Sequence, residues 1–200
     1  TGCRKAIRFW GVRHMLKKLA LAAVAALGLS TTAQAADWSG FYLGVLGGVS
    51  MVSIPECGSE CDITLPGIAK VAGYNWDNGD VIFGIDEMVV VSFLPDDIYN
   101  TRKIQWQKMA RVGFEITDNA MIYGAAGAGI AFVWADCCVP SPPDNSAFYA
   151  AVAAGAEVML NENLIWRTHL QYSRSEQLED CTGCFIQAFS AATGLVWAIN

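Results

Sequence analysis

The chain has 200 residues, 54% of them hydrophobic and only 16% charged, against about 25% charged in a typical soluble domain. Only seven of the 13 lysines and arginines follow Ala36, but all 19 acidic residues follow it. The chain beyond Ala36 therefore has a net charge near 7 − 19 = −12. This balance argues against nucleic acid as a partner, and the roughly 165 residues concerned are enough for one domain.

The first predicted element is a cleavable export signal. Lys17 and Lys18 form its basic start, the run LALAAVAALGL its apolar centre and Ala33-Gln34-Ala35 its cleavage site. The apolar run is shorter than the about 20 residues that a membrane-spanning helix needs, although an N-terminal anchor is the alternative. We therefore expect residues 15–35 to be the signal peptide and 36–200 the folded domain. Residues 1–14 are expected to be an extension upstream of a start at Met15, with a longer basic start of the signal as the alternative.

Eight apolar stretches follow, and the connections between them alternate strictly in length. Long connections such as MVSIPECGSECDITLPG and LPDDIYNTRK alternate with the short ones DNGD, TDNA and LNEN. The short ones are rich in Asn, Asp and Gly, which favour hairpin turns. This alternation is typical of an up-and-down membrane β-barrel. The predicted strands are approximately 38–50, 68–76, 81–93, 104–116, 121–134, 147–159, 164–174 and 185–198.

Period-two alternation gives the predicted strands one large apolar face and one face of small or charged residues. In the seventh strand, for example, Trp166, Thr168 and Leu170 oppose Arg167 and His169. A soluble barrel of the lipocalin type, or a soluble sandwich, would place large apolar residues inside and charges outside. Here the polarity is reversed, as lipid outside requires. The predicted fold class is therefore all-β, an eight-stranded antiparallel up-and-down transmembrane β-barrel.

Aromatic residues near the strand ends are expected to lie at the membrane–water interface, where amphipathic rings are enriched. Most of them flank short connections in the sequence. The expected aromatic belt consists of Trp38, Phe41, Tyr74, Trp76, Phe114, Tyr123, Trp166 and Trp197.

The face of small residues carries charges that would point into the barrel lumen. Eight-stranded barrels are just wide enough for side chains, so opposite charges there should pair into a structural plug. The alternative is a narrow or gated pore, because many interior glycines and alanines leave volume unfilled. Catalysis by His169 and Glu157 with Ser173 or Ser190 has little support, and we predict no catalytic, cofactor or metal site. The predicted lumenal ion-pair network consists of Asp86, Arg111, Glu157, Arg167 and His169.

Two charges do not fit this alternation. Glu87 and Lys108 fall on the predicted lipid-facing side, where a lysine in the middle of the bilayer costs about 2–4 kcal/mol. We expect either that they lie near the outer rim or that a β-bulge shifts the register locally.

Six of the seven cysteines follow the export signal, and all six fall in the predicted extracellular loops beside acidic residues. An even number in an exported chain favours disulfides, although six cysteines allow 15 pairings and the sequence does not choose among them. Metal or ligand binding by these loops is an alternative, weakened because they contain no histidine. The disulfide candidates are Cys57, Cys61, Cys137, Cys138, Cys181 and Cys184.

Four segments resemble the OmpA-like outer-membrane β-barrel family of alphaproteobacterial type, which includes porin-family and outer membrane immunogenic proteins. They are DWSGFYLGVLGG, GYNWDNGDVIFGIDE, ARVGFEITDNAMIYGAAGAG and AGAEVMLNENLIWRTHLQYS. The resemblance implies an eight-stranded barrel in the outer membrane of a Gram-negative bacterium, with both ends in the periplasm. The implied partners are outer-membrane lipid, lipopolysaccharide, the barrel assembly machinery and extracellular ligands of the loops.

The expected function is a structural and cell-surface interaction role, in membrane integrity and loop-mediated contacts, and not catalysis. One alternative is a small or gated channel for ions or small solutes. Another is ligand or metal binding by the cysteine-rich acidic loops.

Overall fold

A computed structural model describes residues 37–53, 63–93, 102–134, 146–176 and 185–199, which form a closed barrel of eight strands. Each strand pairs antiparallel with the next, and β8 pairs with β1, so the predicted fold class is confirmed. In the described residues, no helix is long and apolar enough to cross a membrane. The strands are β1 (Gly40–Ser53), β2 (Ile63–Asp77), β3 (Val81–Phe93), β4 (Arg102–Thr117), β5 (Ala120–Trp134), β6 (Ser146–Asn161), β7 (Leu164–Ser175) and β8 (Gln187–Ile199).

The strand β2 begins five residues before its predicted start, at Ile63 and not at 68. Pro66 and Gly67 made this segment look like a loop, yet Pro66 pairs with Val49 of β1. Pairing of β2 with β3 begins only at Gly67, so the segment before it has one free edge. A proline is tolerated there because its missing N–H is not needed for a second ladder.

The short connections are tight turns stabilised by polar side chains. Gly79 has φ +78° between β2 and β3, and its N–H donates to Oδ1 of Asp77 at 2.9 Å. In the turn between β6 and β7, Oδ1 of Asn161 accepts from the N–H groups of Asn163 and Leu164. We call the barrel end that carries these connections the turn end and the opposite end the loop end. The long connections 54–62, 94–101, 135–145 and 177–184 lie outside the described residues.

The pairing of β3 with β4 is continuous, and Glu87 lies directly opposite Lys108. Register shifts occur elsewhere, between Glu115 and Thr117 and between Met159 and Asn161. Glu87 is the seventh of 13 residues in β3, so it lies halfway along the strand. Neither predicted explanation for these charges holds, since they lie away from the rim and next to no bulge. They remain exposed on the outer surface.

Candidate functional site in the barrel lumen

The lumen at the turn end is filled by a layer of buried apolar side chains. These side chains come from different parts of the chain, because inward-facing residues of several strands come together inside the barrel. Trp38 precedes β1 and folds into this end, where its backbone N–H lies 3.4 Å from Oδ2 of Asp77. Its indole Nε1 is buried without a hydrogen-bond partner. The layer, which we call the apolar plug, consists of Trp38, Ile82, Met121, Ile165 and Val196.

Four buried charges lie above the apolar plug and form one network. Arg111 makes a bidentate pair with Glu157, with Nη1–Oε1 at 2.7 Å and Nη2–Oε2 at 3.2 Å. Arg167 bonds to the same carboxylate through Nε and reaches Asp86, with Nη1–Oδ2 at 3.4 Å. All four side chains are almost completely buried. Two positive and two negative charges therefore cancel within this cluster, which we call the lumenal charge network.

Neutral side chains complete this network. The Tyr42 hydroxyl donates to Asp86, and Oδ1 of Asn75 accepts from Nε of Arg111 at 3.2 Å. The guanidinium carbons of Arg111 and Arg167 lie 4.8–5.7 Å from the ring centroids of Tyr42 and Tyr123. A buried ion pair is tolerated only when its remaining donors and acceptors are satisfied, and these contacts meet that requirement.

His169 was predicted as a fifth member, but the structure places it beside the charges. Its Nδ1 is 2.9 Å from the hydroxyl of Tyr123, and its Nε2 is 3.2 Å from Oε1 of Gln171. The pairing of His169 with Glu157 that catalysis would require is therefore not formed. The Ser190 hydroxyl donates to Ser50 at 3.0 Å.

Polar side chains, most of them uncharged, fill the lumen towards the loop end. Gln107 and Gln171 exchange two hydrogen bonds of 2.7 and 3.0 Å, and Tyr149 donates to Oε1 of Gln107 at 2.9 Å. Lys103 and Gln105 are also buried there. We call Gln107, Gln171 and Tyr149 the glutamine–tyrosine layer. Sequence reasoning missed it, although Lys103, Gln105 and Gln107 alternate along β4 with outward residues. A cavity of about 40 Å³ remains, bounded in part by Ser50, Ser92, Gln105, His169, Gln171 and Ser190.

Interior glycines make room for large side chains. A Cβ on Gly73 would overlap the Tyr42 ring, and one on Gly155 would overlap the Tyr123 ring. A Cβ on Gly84 would come within 3.0 Å of the Arg111 side chain. The small residues were interpreted as unfilled volume that favours a pore, but at these positions the volume is occupied.

Six of the eight predicted belt residues lie on the outward face, and two do not. Trp38 is only 3% exposed and Tyr123 only 4%, so their assignment to the belt was wrong. Trp38 has the same strand parity as the inward Tyr42, and Tyr123 pairs with the inward Gly113. The alternation of faces along each strand could have identified both residues as inward. Trp38 and Phe41, for example, are three residues apart and cannot face the same side. The outward six are Phe41, Tyr74, Trp76, Phe114, Trp166 and Trp197.

All six disulfide candidates lie outside the described residues. Within the residues that are described, no three His, Cys, Asp or Glu side chains are grouped as metal ligands would be. The pairing of the cysteines stays a prediction.

The chain is similar to known outer-membrane barrels in both sequence and fold. Residues 19–179 match the outer membrane protein beta-barrel domain family. A 22 kDa outer membrane protein of Rhizobium leguminosarum bv. viciae is 26% identical over 162 residues, covering 78% of this chain and 74% of that protein.

Two solved structures share the fold. Neisserial surface protein A has a TM-score of 0.61 at 14% identity and covers 80% of this chain and 98% of its own. Ail of Yersinia pestis has a TM-score of 0.53 at 15% identity, with coverage of 80% and 99%. With a closed barrel, a buried charge network and an apolar exterior, the chain belongs to the outer membrane protein beta-barrel domain family and resides in the outer membrane of a Gram-negative bacterium.

Proposed function

We propose that the protein is a closed structural barrel that contributes to membrane integrity and presents its long connections to the cell exterior, without catalysing a reaction. The observation that carries this proposal is the filled lumen. The apolar plug, the lumenal charge network and the glutamine–tyrosine layer lie one above another, and the 40 Å³ cavity has room for only a few water molecules. A solute that crosses the lumen would have to displace side chains of all three layers.

Conductance of the purified barrel in planar lipid bilayers tests the closed state. We expect no stepwise current, because the buried ion pairs leave no continuous water column. Protein-free bilayers serve as the blank. Reproducible single-channel steps would contradict the closed barrel and favour the alternative of a small or gated channel for ions or solutes.

The composition of the long connections supports a role in surface contact. Residues 54–62, 94–101, 135–145 and 177–184 contain nine acidic residues and no lysine, arginine or histidine. Ail has been solved with the heparin analogue sucrose octasulfate, a polyanion, but at 15% identity the likeness to Ail carries the fold alone. Acidic connections would repel a polyanion, so we propose that this chain contacts basic surfaces.

Complementation of a deletion strain separates the structural role from the surface role. We expect the wild-type gene to restore both detergent resistance and attachment to cells with basic surface proteins. A variant with its nine loop acids changed to Asn or Gln should restore detergent resistance only. The matched control neutralises Asp80, Asp118 and Glu162 at the turn end and should behave as wild type. Equal attachment by the loop variant and wild type would disprove the surface proposal.

We propose three further partners. They are outer-membrane lipid and lipopolysaccharide around the barrel wall, and the barrel assembly machinery during insertion. The six outward aromatic residues support the lipid contacts, because amphipathic rings favour the membrane interface.

A further inference from the structure

One part of the outer wall differs from a surface built to face only lipid. It comprises outward residues of β3, β4 and β5, and we call it the β3–β5 face. Glu87 lies halfway along β3 with Lys108 of β4 directly opposite, so both charges lie within the height that a bilayer covers. A lysine at the bilayer midplane costs about 2–4 kcal/mol when it faces lipid. The face consists of Glu87, Trp106, Lys108, Ala110, Ala126 and Ala128.

The two charges on this face are only loosely paired. Nζ of Lys108 lies 3.9 Å from Oε2 of Glu87, and the two side chains are 66% and 49% exposed. The indole Nε1 of Trp106 donates to the other oxygen, Oε1, at 2.8 Å. The described residues offer the ammonium no other carboxylate within ion-pair distance, although it has three N–H donors. The pair therefore has capacity for a second carboxylate and a second ammonium.

Small residues flank the pair on β2 and β5, whereas Ile85, Val89 and Trp106 adjoin it along β3 and β4. Ala72 lies opposite Glu87 on β2, and Ala128 lies opposite Lys108 on β5. Ala110 and Ala126 lie opposite each other one step closer to the turn end, and both are exposed. Within a membrane, small residues let two surfaces approach closely, and polar side chains then bond across the contact.

We propose that a second copy of this chain packs against the β3–β5 face inside the membrane. Two copies inserted in the same orientation are related by a twofold axis along the membrane normal, which keeps every residue at its own height. Glu87 and Lys108 are register partners on neighbouring strands, and strand tilt separates their heights by less than one strand spacing of about 4.8 Å. An axis between them therefore sets each Glu87 against Lys108 of the second copy, within reach of these long side chains. The face is thus complementary to itself, and the contact forms a ring of four alternating charges.

Charge reversal with subunit counting in dilute lipid nanodiscs tests this contact. We expect wild type to be dimeric, whereas E87K and K108E should each be monomeric, because their contacts would join four like charges. Mixing E87K with K108E should restore a dimer containing one copy of each. Failure of the mixture to associate would overturn the proposal, as would a monomeric wild type or single variants that dimerise like wild type.

Uncharged variants keep the proposal testable if the charge-reversal variants E87K and K108E fail to fold. The E87L/K108L variant removes the charges from lipid and should fold well, yet we expect at least a tenfold loss in dimer affinity. Ala128→Leu should also weaken the dimer, because the larger side chain would keep the two copies apart. Its matched control is Gly47→Leu, which faces outward on β1, away from this face, with open space beside it. An uncharged variant that dimerises as tightly as wild type would refute the proposal, and wild-type monomers that bind phosphate-bearing lipid would assign the face to lipid.

Discussion

Glu157 is the residue on which both lumenal arginines converge. Its carboxylate accepts two hydrogen bonds from Arg111 and one from Arg167, and none of its surface is exposed to solvent. Two buried cations share this carboxylate as a counter-charge, and Asp86 supplies the second negative charge. Removing the charge therefore affects the arginines more than the glutamate itself.

Glu157→Gln should lower the free energy of unfolding by about 3–5 kcal/mol, because two buried guanidinium groups lose their shared counter-charge. Urea titration of the barrel in lipid vesicles measures this change. Glu162→Gln, in the exposed turn between β6 and β7, should change it by less than about 0.5 kcal/mol. Equal stability of the two variants would mean that the network contributes nothing to the fold.

Gly155→Ala tests the fit between interior glycines and large side chains. Its Cβ would overlap the Tyr123 ring and the backbone oxygen of Thr168, so we expect a loss of about 1–3 kcal/mol. Gly47→Ala meets no atom within 4 Å and should be neutral. The same urea titration compares the two, and a neutral Gly155→Ala would show that the lumen adapts freely.

Four of the buried charges could be predicted from the sequence, whereas Lys103 and the contacts of the uncharged lumenal side chains could not. Alternation along each strand was enough to place Asp86, Arg111 and Arg167 on one side, since a period of two fixes the face. Tyr42 and Tyr123 bind those charges, yet aromatic residues favour both membrane interfaces and polar interiors. Alternation along the strand places both tyrosines inward, but only the pairing between strands determines which charge each of them contacts.

At the scale of the element, the turns between strands fix the register of the hairpins. In the β2–β3 turn, Asp77 bonds to the N–H groups of both Gly79 and Trp38. One side chain therefore connects the turn to the apolar plug. The sequence Asp77-Asn78-Gly79 predicted this turn correctly, because a residue that tolerates positive φ reverses the chain tightly. The early start of β2 could not be predicted, since a proline is acceptable only where the neighbouring strand is absent.

Gly79→Val should destabilise the β2–β3 hairpin by about 1–2 kcal/mol, because a β-branched residue is strained at φ +78°. Folding yield and urea midpoint in vesicles report the loss. Gly124→Ala is the control, since the added Cβ would lie 4.0 Å from its nearest neighbour. A Gly79→Val barrel as stable as wild type would indicate that the turn has changed conformation.

At the scale of the whole barrel, side chains of the described residues fill the lumen in successive layers. Several strands contribute side chains to each of the three layers, which are the apolar plug, the lumenal charge network and the glutamine–tyrosine layer. No single strand therefore provides all the side chains of a layer. The pattern of long and short connections predicted the eight strands and their order. It could not show whether the interior is open, because that depends on how side chains from distant strands fill shared space.

Trp38→Ala should destabilise the barrel by about 3–5 kcal/mol without making it conduct. The indole fills the turn end, but the charge network above it remains intact. Bilayer recordings and urea titration of the same preparation give both values. Trp197→Ala, on the exposed outer wall, should cost less stability. Conducting Trp38→Ala barrels would locate the seal in the apolar plug alone.

Closure of the barrel joins the two strands that are farthest apart in the sequence. Phe41 pairs with Ile199 and Ser53 with Gln187, so this ladder connects residues separated by most of the chain. Such a non-local contact slows folding, because the entropy of closing the whole loop is lost before the contact forms. Until β8 docks on β1, two strand edges carry unpaired backbone groups, which lipid does not tolerate. Assembly is therefore expected to be a single cooperative event, whose rate is set by its last strand.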